Sequence, residues 1–315
     1  MKIVSLLPSA TEIVCALGLE SSLVAITHEC DFPESVSKLP SITSSRISHE
    51  TMSSREIDHA VRSQLDGHGS IYDLDTELLQ QLSPDLILTQ ELCEVCAVSY
   101  KTVERAARVY ASDATVVSLE PNSIEDIFDT MLAVGELTGV KARAEDLVSE
   151  LADRLGAVWA KVEFLDRRPR VMMLEWLEPP FAPGHWVPEQ VETAGGTAIL
   201  GKAGQRSTAT TYEAIRESNP EIMVFIPCGY YIEDIQRQLV SQRFPDDWRE
   251  IDAVRTGNVW AIDATKYFSR PGPRIVDGTE ILAKVIHPCL FGQPLYHEAY
   301  RIAHGEMKFG SKDIL

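Results

Sequence analysis

The sequence predicts an α/β fold of two Rossmann-like lobes. Each lobe has a mostly parallel sheet, one long rigid α-helix joins them, and a ligand cleft lies between. Three observations carry this. Short apolar runs alternate with helical patterns through both halves of the 315 residues, as in α/β units. One long amphipathic pattern separates the halves, and the halves repeat one another in the order of their elements.

The strands come first. IVSLL (3–7), LVAIT (23–27), DLILT (85–89) and TVVSL (115–119) lie in the first half, and RVMML (170–174), IMVFI (222–226) and NVWAI (258–262) in the second. All are short and nearly continuously apolar, as parallel strands covered on both faces are. Helical spacing follows them at Ser9 to Leu17, Asp75 to Leu82, Ile124 to Thr138, Tyr212 to Ser218 and Arg274 to Val285.

The opening MKIVSLLPSATEIVCALGL has Lys2 ahead of an apolar run, as a secretory leader would. Pro8, Ser9 and Glu12 interrupt that run and no small-residue cleavage site follows, so it reads as the first strand and helix. That places the chain as written in the cytoplasm; a periplasmic or surface-anchored protein trimmed of its leader would read the same.

Between the halves, VKARAEDLVSELADRLGAVWAKVEFL carries Val140, Ala144, Leu147, Leu151, Leu155, Val158 and Val162 at helical spacing. Such a helix spans roughly 35 to 40 Å, enough to cross the back of two lobes. The expected organisation is an N-terminal lobe (1–138), a linking helix (139–166), a C-terminal lobe (167–290) and an extension (291–315).

The repeat is specific. DTELLQQLSPDLIL (75–88) and TYEAIRESNPEIMV (211–224) share the order helix, proline, acidic residue, strand, so that Pro84 matches Pro220 and Glu77 matches Glu213. SLLPSATEIVCALG and MLEWLEPPFAPGHWVPEQVETAGG both run strand, loop, helix, then a glycine suited to end the helix, Gly18 or Gly195. Ligands of open α/β sheets bind beyond the carboxyl ends of the strands, so the loops after these strands should line the cleft.

Composition narrows the partners. A net charge of −18, from 29 basic and 47 acidic residues, repels phosphate backbones and anionic lipid heads and argues against nucleic acid. No run of 18 apolar residues offers a membrane span. The six cysteines are irregularly spaced and form no disulfide framework. The nucleophile-elbow, P-loop, dinucleotide and zincin motifs are all absent, so no enzyme activity is expected.

The post-strand loops collect Ser9; His28, Glu29 and Cys30; 90–96; Glu175 and Trp176; His185 and Trp186; Cys228 and Tyr230; and Lys266, Tyr267 and Phe268. Trp176, Trp186, Tyr267 and Phe268 stand beside Pro and Gly outside the apolar periodicity, which suits a flat ligand between rings, although core packing would also explain them. His28 and His185 on facing loops point toward ligand contact, where one histidine alone reads as structural.

Cys93 and Cys96, in C-x2-C spacing, could give two thiolates to zinc or iron. No second C-x2-C or H-x3-H completes a closed site, so completion would have to come from His28, Cys30, His185 or Cys228. Glu91 and Glu94 flank the pair and raise rather than lower its thiol pKa, which weakens a redox reading. Small cysteines packing the cleft wall is the third reading, and all three remain open.

Taken together, SLLPSATEIVCALGL, DFP, LLQQLSPDLIL, the long helix, PPFAPGHWVPEQVETAGG and YFSRPGPRIVDGTEILA resemble the class III substrate-binding proteins of ABC importers, most of all their vitamin B12 (cobalamin) branch. The resemblance covers about residues 1–290. It implies non-catalytic binding of a corrinoid between the lobes, little hinge bending, and delivery to a permease. By position it implies ligand contacts from Ser9, Tyr72, the Trp176 to Trp186 loop, Tyr267 and Phe268; the resulting expectation is a corrinoid held by aromatic contacts, with His28 or His185, which the family pattern does not include, near the cobalt. It implies permease docking through Glu77 and Glu213, which otherwise read as solvated first-turn glutamates. The segment 43–70, with three histidines, is an addition that could lid the cleft. The Cys93, Cys96 and Cys30 thiols lie outside the cobalamin pattern. They support the alternative of a transition-metal, haem or siderophore binder, or a metallochaperone.

Overall fold

A computed structural model of the chain describes residues 1–45, 52–66, 72–90, 103, 106–107 and 113–310. In the N-terminal lobe, β1 (Ile3–Ser5) leads into α1 (Pro8–Ala16), opened by Pro8. Then come β2 (Leu23–Ala25), β3 (Thr43–Ser45), α2 (Ser54–Asp66), β4 (Tyr72–Leu74), α3 (Thr76–Leu82), β5 (Leu86–Thr89), β6 (Thr115–Ser118) and α4 (Ile124–Leu137). The stretch that resembled a leader is thus core: Ile3, Val4, Ile13 and Val14 are fully buried. Strands β2, β1, β5 and β6 form one parallel sheet in that order, with Ile3 opposite both Leu23 and Leu86.

The linking helix α5 runs Lys141–Val162, and its 22 residues span about 33 Å. It ends at Val162, the last apolar position of the pattern, and buries Ala144, Leu151, Leu155, Val158 and Val162. It is fastened to both lobes. Arg143 Nη1 donates to the Leu17 carbonyl at 3.3 Å, and Arg154 donates to Asp277 at 2.5 Å and to Glu280 at 2.7 and 3.0 Å. Helix α4 packs against α5 so closely that a Cβ at Gly135 would stand 2.4 Å from that of Ala144.

The C-terminal lobe contains β7 (Arg170–Leu174), β8 (Trp176–Leu177), β9 (Pro180–Ala182), α6 (Val187–Thr193), β10 (Thr197–Ala198), β11 (Thr208–Ala209) and α7 (Tyr212–Ser218). These are followed by β12 (Ile222–Phe225), α8 (Ile232–Ser241), α9 (Asp252–Arg255), β13 (Val259–Ala261), α10 (Ala264–Tyr267), α11 (Ile275–Ile286), α12 (Pro288–Phe291) and β14 (Tyr300–Arg301). Its sheet runs β10-β7-β12-β13-β14, parallel except for β14, which the C-terminal extension lays antiparallel on β13.

All seven apolar runs contain strands, and the first four strands of each main sheet lie in the same order, second-first-third-fourth. The repeat extends to backbone detail. Asp75 caps α3 by accepting from the Leu78 amide, as Thr211 caps α7 by accepting from that of Ala214. Each helix ends on a left-handed residue before the repeated proline, Ser83 (φ 44°) and Asn219 (φ 41°). Two features differ from expectation. Trp176 lies on β8, in a small antiparallel sheet with β9 and β11, and Tyr267 ends the short helix α10. Strands of two or three residues carry too little alternation to stand out in a sequence.

Candidate functional site

The strand order reverses direction between β1 and β5 in one lobe and between β7 and β12 in the other, and the loops beyond those carboxyl ends face each other. Ser9 is buried near the start of α1, where a Cβ on Gly272 of the other lobe would lie 3.5 Å from the Ser9 carbonyl oxygen.

The seam is polar and mostly cationic on the C-terminal side. Arg270, 8% exposed, reaches into the N-terminal lobe and donates to Asp31 Oδ1 at 2.5 Å, Glu12 Oε1 at 3.3 Å and the Glu29 carbonyl at 2.8 Å. Arg274 grips Glu12 with two donors at 2.8 and 2.5 Å, and its guanidinium lies 4.2 Å above the Phe32 ring. Burial presses the Arg270 pKa down, but Asp31 and Glu12 outweigh it and the guanidinium is held above its ordinary value. Tyr231 donates its hydroxyl to Asp31 from the same side.

A second bridge is aromatic. Trp176 and Tyr230 pack edge to face at 5.5 Å; the Trp176 Nε1 donates to the Ser54 carbonyl at 3.2 Å, and the Ser54 and Tyr230 hydroxyls lie 3.4 Å apart. Ser54 opens α2, so the 43–70 addition rests its described helix on the far lobe. Gln90, at the end of β5, is buried with an amide nitrogen that has no partner among the described residues. The hydroxyl of Thr265, whose amide donates to the Tyr230 carbonyl, is likewise unpartnered.

His28 lies in the N-terminal lobe, in the loop after β2. Its Nδ1 lies 2.8 Å from Thr43 Oγ1 and 3.4 Å from Thr27 Oγ1, and its ring centroid is 5.4 Å from that of Tyr72. Tyr72 in turn donates to Glu29 Oε1 at 2.9 Å. One edge of the imidazole is packed although the residue as a whole is exposed. That desolvation lowers its pKa, with Glu29 pulling the other way.

The other predicted residues scatter. Trp186 and Phe268, at 6% and 2% exposed, belong to the apolar core, with Trp186 Nε1 donating to the Phe268 carbonyl at 2.8 Å. A ring held there packs the lobe, which corrects their assignment as open cleft aromatics. His185 takes a left-handed backbone (φ 50°) and buries an Nε2 that has no hydrogen-bond partner among the described residues; burial, then Arg206, lowers its pKa. Tyr267 is half-buried and reaches a side cavity of about 210 Å³ with Glu280 and Lys284. Glu175 is half-buried and its carbonyl accepts from the amide of the exposed Cys228.

Cys30 sits 3.0 Å from Thr11 Oγ1, with burial pushing its thiol up to about 11, so it is a poor source of thiolate. Cys93 and Cys96 lie outside the described residues. Among the described residues no three His, Cys, Asp or Glu side chains converge as a metal site. Glu77 and Glu213 are exposed at the same position of α3 and α7.

Sequence reading missed Glu12, Asp31, Tyr231 and the Thr27–Thr43 pair. Arg270 and Arg274 were legible in principle, because RPGPR sets two arginines in a rigid Pro-Gly-Pro turn directly after a strand and short helix.

Two α/β lobes opposed at their switch points, with a polar and aromatic seam and a rigid connecting helix, define a two-lobed binding protein. The family model of the periplasmic binding proteins matches residues 3–265, and the chain belongs to that family, as a class III substrate-binding protein and not an enzyme.

The chain is 25% identical over 304 residues to the uncharacterized ABC transporter substrate-binding lipoprotein YvrC of Bacillus subtilis, covering 92% of this chain and 81% of that one. It is 21% identical over 283 residues to a vitamin B12-binding protein of Vibrio cholerae, covering 89% and 86%. Among solved structures, the periplasmic vitamin B12 binding protein BtuF of Vibrio cholerae superposes with TM-score 0.64 at 20% identity, covering 90% and 96%. A periplasmic heme binding protein of Pseudomonas aeruginosa superposes with TM-score 0.68 at 20% identity, covering 93% and 94%. The cytoplasmic placement expected from the sequence fits poorly with lipoprotein and periplasmic relatives. Among the described residues no helix is long and apolar enough to cross a membrane.

Proposed function

We propose that this chain captures a planar metal chelate of the corrinoid class in the seam between its lobes, outside the cytoplasmic membrane, and delivers it to an ABC importer permease. The observation that supports the reading is the seam itself, where Trp176 and Tyr230 of the C-terminal lobe meet Ser54, and Arg270 meets Asp31 and the Glu29 carbonyl, of the N-terminal lobe. Relatives named for vitamin B12 favour a corrinoid, and relatives of equal structural likeness named for haem make haem the second reading. Glu77 and Glu213 suit docking because the repeat puts one exposed carboxylate on each lobe in equivalent positions.

The test is a titration of the reduced protein with hydroxocobalamin and with hemin, followed by tryptophan fluorescence and native mass spectrometry. A one-to-one adduct with hydroxocobalamin, weakened at least tenfold in Trp176→Ala, supports the corrinoid. Preference for hemin moves the assignment to haem. A protein that carries stoichiometric zinc or iron, loses it in Cys93→Ser and Cys96→Ser, and ignores both macrocycles is a metallochaperone instead.

A further inference from the structure

We propose that α2 gates the seam: its first turn covers Trp176 and Tyr230, and a ligand reaches that pair only by displacing the turn. The inference rests on the reading that the seam holds the ligand, and adds what competes with the ligand for its place.

Trp176 stands just beyond β7 and Tyr230 beyond β12, and the Tyr230 carbonyl accepts from the amide of Thr265, which follows β13. Three strands of the C-terminal sheet thus end near this pair, and the carboxyl end of an open α/β sheet is where its ligand binds. The first turn of α2 rests there. Trp176 Nε1 donates to the Ser54 carbonyl at 3.2 Å, and the Ser54 hydroxyl lies 3.4 Å from that of Tyr230. Ser54 is 0% and Tyr230 1% exposed, so the surface they share is closed to any other molecule while α2 stays in place.

The arm that carries α2 is held unequally at its two ends. Its stem is a hairpin of β3 on β4, with Thr43 opposite Leu74 and Ser45 opposite Tyr72. The stem is sewn to the N-terminal lobe: the Ile42 amide donates to the Ile26 carbonyl at 2.9 Å, and the Thr43 hydroxyl to Thr27 Oγ1 at 2.8 Å. At the far end, both Ser54 contacts are neutral and near the long limit of a hydrogen bond. The helix start is fixed locally. Glu56 Oε2 accepts from the Ser53 amide at 2.8 Å and from the Ser53 hydroxyl at 2.7 Å, and Ser53 Oγ accepts from the Glu56 amide at 3.4 Å. The turn can therefore leave the far lobe without unwinding. Elsewhere along the seam the lobes are joined by charge, Arg270 on Asp31 and on the buried Glu12, and such contacts are costlier to part. The α2 contact is the fastening that yields first.

The experiment is stopped-flow tryptophan fluorescence of the whole protein with hydroxocobalamin and, separately, with hemin, alongside hydrogen exchange of the α2 amides. Ser54→Ala removes the hydroxyl that meets Tyr230, and Ser53→Ala removes the box that sets the turn; neither residue belongs to the aromatic pair. Each variant should bind the macrocycle about threefold more tightly, through faster association with unchanged dissociation, because a looser turn is displaced at less cost. In wild type the α2 amides should lose protection when the macrocycle binds. Wild-type affinity in both variants would make the contact merely structural. Faster dissociation from the variants, or α2 amides that gain protection, would mean that α2 closes over the ligand instead of competing with it. Either result overturns the gate and leaves the seam reading standing. Failure of wild type and of both variants to bind either macrocycle overturns both.

Discussion

Arg270 and Asp31 meet at 2.5 Å across the seam between the lobes, and they are unequal partners: the guanidinium is 8% exposed and the carboxylate 43%. Glu12, which Arg270 and Arg274 share, is 2% exposed. Removing one member of a buried ion pair strands the other, whereas an exposed partner is largely replaced by water. Glu12→Gln should therefore cost on the order of 3 kcal/mol in urea unfolding, and Asp31→Asn less than about 1. Equal losses in the two variants would show that burial is not what distinguishes them.

Two helical glycines should respond with opposite sign to the same change. Gly156 on α5 has open space where a Cβ would go, so Gly156→Ala should stabilise by about 0.5–1 kcal/mol through helix propensity. At Gly135 the new Cβ would meet that of Ala144 at 2.4 Å, and overpacking should cost about 1–3 kcal/mol. Thermal denaturation of both variants decides it; a stabilised Gly135→Ala would mean that α4 and α5 can part without loss.

Glu77 and Glu213 are exposed first-turn residues, so Glu77→Ala and Glu213→Ala should each change stability by no more than about 0.5 kcal/mol. If they dock the permease, each variant should impair ligand uptake, and the double variant should abolish it with ligand binding intact. Uptake by the double variant at the wild-type rate would remove the pair from the interface.

The lowered pKa of His185 makes stability depend on pH in a definite direction. Between the folded and unfolded values the unfolded chain holds a proton that the folded chain does not. This contribution is fully present above the unfolded value, about 6.5, and is lost as pH falls through it toward the folded value. His28 acts in the same sense. His185→Asn, which tolerates the left-handed backbone, should lose less stability than wild type between pH 7.5 and about 5.5, as read from urea midpoints. An identical pH slope in both proteins would assign the loss to other groups.

The fold was largely legible because buried parallel strands leave continuous apolar runs and an amphipathic helix leaves a period. Both signals are local, and the repeat relating Pro84 to Pro220 confirmed them at a distance. The site was less legible because its geometry is not local. Glu12 meets Arg274 across 262 positions, and nothing near Glu12 in the sequence marks it as other than a helical glutamate. Aromatic loop residues misled for a related reason. Trp186 and Phe268 share the Pro and Gly setting of Trp176, and only the packing decides which ring faces a seam and which fills a core.

The antiparallel strand β14 has a meaning in time. Without it, the outer edge of β13 is a row of unpaired amides and carbonyls on a largely apolar sheet, a ready template for pairing with another chain. Tyr300 and Arg301 follow every other strand of that sheet in the chain, so during synthesis the edge stays open until they emerge. The C-terminal lobe is thus most prone to associate with its neighbours just before it is complete, and its extension is the piece that ends that exposure.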